Sequence, residues 1–177
     1  GPLKAVLEPA LRGVKGSGSA DMDLALTVPL YRGKSASGEN STEFKRPPIT
    51  VNGSLFLSGN NVEFTQAKLP LQRVSGAIGF DRNGIRVNNL KANLLGQSVR
   101  VSGKTAGAGR NATTTVALTG ALEGNDVLAH YGNPLDQFIR GASKWTAELT
   151  VPHSSKRLNE DGVRLQVVSD LVGSELA

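Results

Sequence analysis

From Met22 to Leu30 every second residue is apolar: Met22, Leu24, Leu26, Val28 and Leu30 alternate with Asp21, Asp23, Ala25 and Thr27. An extended chain sends successive side chains to opposite faces, so this spacing gives one apolar row and one wetted row. The same rhythm recurs along most of the chain and restricts the fold to sheets with one apolar face. It predicts strands over 49–58, 62–65, 74–80, 85–95, 99–103, 113–122 and 145–151, with a last strand carrying Val163, Leu165 and Val167. Single glycines punctuate these stretches. Gly59-Asn60-Asn61, Asp81-Arg82-Asn83-Gly84, Gly107–Asn111 and Asn159-Glu160-Asp161-Gly162 read as turns.

Two stretches keep helical spacing instead. Leu3, Val6, Leu7, Ala10 and Leu11 predict a helix over 3–12 that ends at Gly13. Asn125 or Asp126 caps a second one through Tyr131, and Asn133-Pro134 opens a further turn over Leu135–Arg140 that Gly141 stops. Residues 32–48 are polar and Ser/Gly-rich, close with Pro47-Pro48, and read as a loop. The fold class is therefore mainly β. We expect a mostly antiparallel meander with short α-helices near 3–12 and 125–140, either closed into a sandwich or barrel core or left open as a curved, elongated groove.

Composition removes several chemistries. The 177 residues contain no cysteine, which excludes disulfides, a thiol nucleophile and a cysteine zinc site, and two histidines cannot build a three-histidine metal centre. No apolar run approaches the ~18 residues of a membrane-spanning helix. The net charge of +5 comes from 20 basic and 15 acidic residues that are dispersed along the chain. No basic stripe interleaves with aromatics, so a nucleic-acid partner is not expected.

Each motif that resembles a catalytic or binding site has a plainer reading. Gly103-Lys104-Thr105 lacks the earlier glycine and the following helix of a phosphate loop, and reads as a turn. Gly16-Ser17-Gly18 lacks the third glycine of a dinucleotide fingerprint and reads as a helix exit. Asp81–Ala92 starts like a calcium loop, but Arg82 and Arg86 oppose a cation and its twelfth position is Ala92. His130 and His153 have no neighbouring nucleophile or carboxylate arrangement. Glu160-Asp161 before Gly162 is ordinary turn chemistry. The sequons at Asn40, Asn52 and Asn111 carry little weight in a chain rich in Asn, Ser and Thr. No catalytic constellation survives, so neither an enzyme nor a cofactor is expected.

Leu26-Thr27-Val28-Pro29 recurs as Leu149-Thr150-Val151-Pro152, 123 positions downstream. Gly18 and Gly141, and Met22 and Trp145, extend the match, so 18–30 and 141–152 read as a repeat. Gly1-Pro2 reads as a protease scar, and the last nine residues stop inside an apolar pattern. The expectation is one segment of a longer, repeat-built chain.

The stretch Gly18–Leu30 resembles the AsmA-like superfamily, specifically its YhdP branch. So do Val51–Leu57, Val74–Ile85, Leu94-Leu95-Gly96, Gly141–Pro152 with its Trp145, and the Ser169-Asp170-Leu171-x-Gly173 ending. The polar insertion at 32–48 departs from that pattern. The resemblance implies a large periplasmic protein of Gram-negative bacteria, anchored in the inner membrane by a helix outside this segment. Its β-repeats would form a hydrophobic groove that carries phospholipids toward the outer membrane. It brings no catalytic residues.

Candidate acyl-chain contacts follow from the alternation: Leu24, Leu26, Val28, Leu55, Leu57, Val62, Phe64, Ile78, Phe80 and Ile85. Val87, Val99, Val101, Val116, Leu118, Leu149, Val151, Leu165 and Val167 complete the row. The partners implied are phospholipid acyl chains and the inner-membrane anchor. The scarcity of aromatics (5%) fits a smooth aliphatic trough. The rival reading is a structural or protein-interaction β-domain of the envelope with a closed core.

Overall fold

A computed structural model describes residues 13–29, 49–134 and 139–176. The expected helix over 3–12, the loop over 32–48 and part of the turn over 135–140 lie outside the described residues. The strands are β1 (Val14–Ser17), β2 (Ala20–Thr27), β3 (Thr50–Phe64), β4 (Leu69–Asp81), β5 (Gly84–Leu94), β6 (Gln97–Ala106) and β7 (Thr113–Glu123). Helix α1 (Gly124–His130), the short β8 (Ile139–Arg140), β9 (Ala142–Pro152), α2 (Ser155–Asp161), β10 (Arg164–Ser169) and β11 (Glu175–Leu176) follow.

Nine strands form one open antiparallel sheet in the order β1-β3-β4-β5-β6-β7-β9-β10, with β2 also paired to β3. The register aligns residues of eight strands in one lateral row: Met22, Leu55, Ile78, Val87, Gly103, Val116, Leu149 and Leu165. Directly opposed residues share a face. The period-two pattern of the sequence thus becomes a continuous apolar surface across the sheet. The other sheet among the described residues is only the two-stranded pair β8–β11, yet Leu149 is 1% exposed and Leu118 2%.

Curvature supplies the cover. Leu69 on β4 and Val167 on β10 line the same small cavity although five strand spacings separate them. In a flat sheet those strands would stand roughly 24 Å apart. The sheet therefore curls toward its apolar face, and its own strands bury one another's side chains.

The bend has a structural origin. Pairing slips between Ser58 and Val62 on β3, between Gln72 and Ile78 on β4, and between Val87 and Leu90 on β5. Each slip is a β-bulge, which bends a strand and increases its twist. Arg73 and Asn89 take positive φ there (52° and 56°). The bulges also reset the alternation: the buried row runs Ile85, Val87, then Leu90, Ala92 and Leu94.

Several sequence expectations change. Gly59-Asn60-Asn61 is no turn; β3 runs through it as a bulge. The buried Asn60 side chain accepts from Ser58 N–H (2.9 Å) and donates to Ser19 O (2.9 Å) and, at 3.4 Å, to Ser17 O. It fills the gap where β1 gives way to β2, so Gly16-Ser17-Gly18 is strand and junction, with no helix exit described. Gly103-Lys104-Thr105 lies inside β6, and the turn begins at Gly107. Asn159–Asp161 belongs to α2, which Gly162 ends with φ 67°. Ile139-Arg140 is strand, so no helix extends to 140.

Close strand approach depends on missing side chains. A Cβ on Gly53 would collide with the Phe80 ring opposite it and lie 2.7 Å from Asp23 O, whereas a Cβ on Gly79 meets nothing nearer than Arg86 O at 3.8 Å. We predict that Gly53→Ala destabilises the protein by about 1–3 kcal/mol through overpacking. Gly79→Ala, one register position away, should change stability by less than about 0.5 kcal/mol. Urea denaturation of both variants checks the contrast.

Candidate functional site: the apolar trough

The curled sheet presents a trough whose inner surface is aliphatic. Its floor contains Phe80, Ile85, Val87, Val99, Val101, Val116, Leu118, Leu149 and Val151, all buried. Leu55, Leu57, Val62, Phe64, Ile78 and Leu165 are half-buried on the same surface. Leu24 (41%), Leu26 (50%), Val28 (46%) and Val167 (39%) are exposed. Register explains the gradient. Leu24 and Leu26 oppose Gly53 and Val51, so they continue the inner face onto β2, where the sheet ends. Met22 and Ile49 are 49% and 47% exposed beside them. These five side chains make an apolar lip along one edge of the sheet, and Val167 with Leu165 makes the other. Val28 follows the last residue of β2, so it extends the lip beyond the paired strand.

The inner face also holds residues that strict alternation from Ile85 or Val74 misses. Leu69, Leu71, Leu90, Ala92 and Leu94 are buried there because the bulges shift the phase. Trp145, the only tryptophan, is buried and donates from Nε1 to Leu122 O (3.1 Å). A glycine inside an alternating stretch, such as Gly59, which takes φ 77° here, was the available signal for a bulge.

Helix α1 shuts one end of the trough. Seven residues do not hold a helix alone, so packing must supply its stability. Val127 points inward and is buried, and Gly124 lets the helix start against Ile139. Beyond its last turn the chain reaches across to the connection between β3 and β4. His130 Nε2 donates to Lys68 O (2.7 Å), and Tyr131 donates from its hydroxyl to Ala67 O (3.4 Å). The two rings meet edge to face at 5.0 Å. Beneath them lies a cavity of about 30 Å³ lined by Leu69, Leu94, Leu95, Val99, Leu118, Leu122, Val127, Trp145, Ala147 and Val167, with Thr119, Gly120, His130 and Tyr131. That is room for about one water molecule.

The opposite end is polar. Thr105 Oγ1 accepts from Ile85 N–H (3.1 Å) and shares a hydrogen bond with Thr114 Oγ1 (2.8 Å), which in turn bonds His153 Nε2 (2.7 Å). Thr114 is 1% exposed, so this chain of hydroxyls satisfies a buried row that would otherwise carry unpaired polar atoms. His153 therefore has a structural partner. No group of three or more His, Asp or Glu residues that could hold a metal ion occurs among the described residues.

An open antiparallel sheet curled around an aliphatic surface defines the class: a β-groove protein. A family model described as YhdP protein matches residues 1–177, and the chain belongs to that family. No curated protein and no solved structure matches it. Among the described residues no helix is long and apolar enough to cross a membrane.

Partial burial holds the Tyr131 phenol above its ordinary pKa of 10.0, because the phenolate loses hydration there. The raised folded-state value means that its contribution to stability is whole below about pH 10. It is lost as pH rises through the folded-state value. We predict a fall in stability above pH 10 that is smaller in Tyr131→Phe, measured by denaturation at pH 8 and at stepwise higher pH.

Proposed function

We propose that this chain is a periplasmic segment of an inner-membrane-anchored bridge that carries phospholipids between the membranes of a Gram-negative envelope. The observation that carries this reading is the exposed apolar lip of Met22, Leu24, Leu26, Val28 and Ile49, continuous through the register with the buried floor. A contiguous apolar surface open to water marks an interaction site. Family membership supports the same assignment.

The mechanism is passive. Acyl chains lie against Leu, Val and Ile side chains and gain about 0.8 kcal/mol for each buried methylene. These contacts have no preferred direction, so a chain can slide without breaking hydrogen bonds one at a time. Head groups stay at the lips, in water. The segment performs no covalent chemistry in this reading and needs no cofactor.

A second reading rests on the floor itself. The deep rows are buried, and the cavity under α1 is small, as in a closed envelope domain that binds partners by its surface. The two readings separate at the lip. Leu24→Asp with Leu26→Asp alters side chains that are half exposed, so the melting temperature should move by only about 2–4 °C. Under lipid conduction, phospholipid retained by the protein in native mass spectra falls by roughly tenfold. Unchanged retention in a folded double variant would favour the closed domain.

A further inference from the structure

The outer, convex face carries a second feature that the trough does not use. Strands β5 and β6 contain no Asp or Glu, and β7 has none before Glu123 at its end. On that same face Lys91 stands directly opposite Arg100, and Arg86 opposite Lys104. Like charges opposed across a strand pair destabilise a sheet. Arg86 is relieved by Asp81 at 3.0 Å; Lys91 and Arg100 face each other with no carboxylate on either strand. Arg73, Lys91, Arg100 and Lys144 are all exposed and rim a depression of about 830 Å³ whose floor includes the short side chains of Ser98 and Thr119. Arg100 is also positioned: its Nη1 donates to Asn89 Oδ1 at 2.8 Å, and Asn89 sits on the β5 bulge. That bond fixes one edge of the guanidinium and leaves its other N–H groups for a carboxylate fork.

We propose that this cation-rimmed depression is a docking site for an acidic polypeptide segment, a stretch of a partner protein carrying clustered Asp or Glu. The shape selects a peptide over a membrane surface. A planar layer of anionic head groups would touch the rim of a depression on a convex face and leave its floor empty, whereas carboxylate side chains can enter it. Of the residues lining it, the one large apolar side chain, Val99, is buried and so cannot insert into a bilayer. Four cations arranged around a floor of hydroxyls match several carboxylates on one extended strand better than a single anion. The proposal is independent of lipid conduction, because it concerns the opposite face.

The test uses a fluorescein-labelled octaglutamate peptide and vesicles containing phosphatidylglycerol, each titrated with the 177-residue chain at physiological ionic strength. The proposal predicts saturable peptide binding that Lys91→Glu/Arg100→Glu/Lys144→Glu weakens by at least about tenfold. Reversing Lys15, Arg110 and Arg140 instead, three exposed cations elsewhere, changes it by less than about twofold. Lys91→Gln, which removes the opposed charge without adding a new one, should weaken peptide binding while raising the melting temperature at low salt. A structural role alone would not produce that opposite movement, and it guards against misfolding of the triple variant. Equal loss in the two triple variants would overturn the proposal, as would absence of saturable peptide binding. Vesicle binding that depends on the patch while peptide binding does not would replace the peptide with a membrane.

Discussion

Among the described residues no layer larger than the two-stranded β8–β11 pair lies beside the main sheet, so the apolar face leaves water chiefly by bending of the sheet around it. The rest of the structure depends on this constraint. A fully buried Leu or Val is worth about 1.5–3 kcal/mol over an exposed one, and the floor from Phe80 to Val151 contains many such side chains. Bending collects that energy only if strands can approach closely on the inside. Gly53 beneath Phe80, and Gly103 in the row between Val87 and Val116, are among the places where the sheet yields space. The outer surface is stretched by the same bend and carries short polar residues and cations.

Alternation made the strands and the identity of the inner face legible, since the register between bulges keeps the period of two intact. Met22, Leu24 and Leu26 fall on the same face as Leu55 and Ile78, as their spacing requires. The bulges were less legible. A bulge costs one residue of phase and leaves the local composition unchanged, so Leu90, Ala92 and Leu94 look like outward positions when counted from Ile85. At Gly59-Asn60-Asn61 the composition is that of a turn, but Asn60 uses its side chain to hold two strand segments on one edge. Helix α2 was hidden for a related reason: Asn159-Glu160-Asp161-Gly162 is turn chemistry that here serves as the last turn of a helix and its glycine stop. Glycine at 162 marks the end of an element without saying which kind.

The two ends of the trough differ in chemistry. Under α1 the walls are aliphatic and the closure is light, consisting of Val127 and two hydrogen bonds reaching Lys68 and Ala67. At the other end the walls give way to threonine hydroxyls and His153. An acyl chain entering from the β2 lip meets an apolar surface in one direction and a polar boundary in the other. The floor is covered by its own side chains, so the exposed side chains of the lip are the apolar surface that a lipid first encounters.

The central claim is that acyl chains contact the inner face of the sheet. A photo-crosslinking residue placed in turn at each position from Ala20 to Thr27, in protein produced in a Gram-negative cell, reads this most directly. β2 is exposed on both faces, so accessibility alone does not favour either one. The account predicts phospholipid capture with a period of two, at Met22, Leu24 and Leu26, and little at Asp21, Asp23 and Ala25. Capture without periodicity, or none at any position, would contradict it.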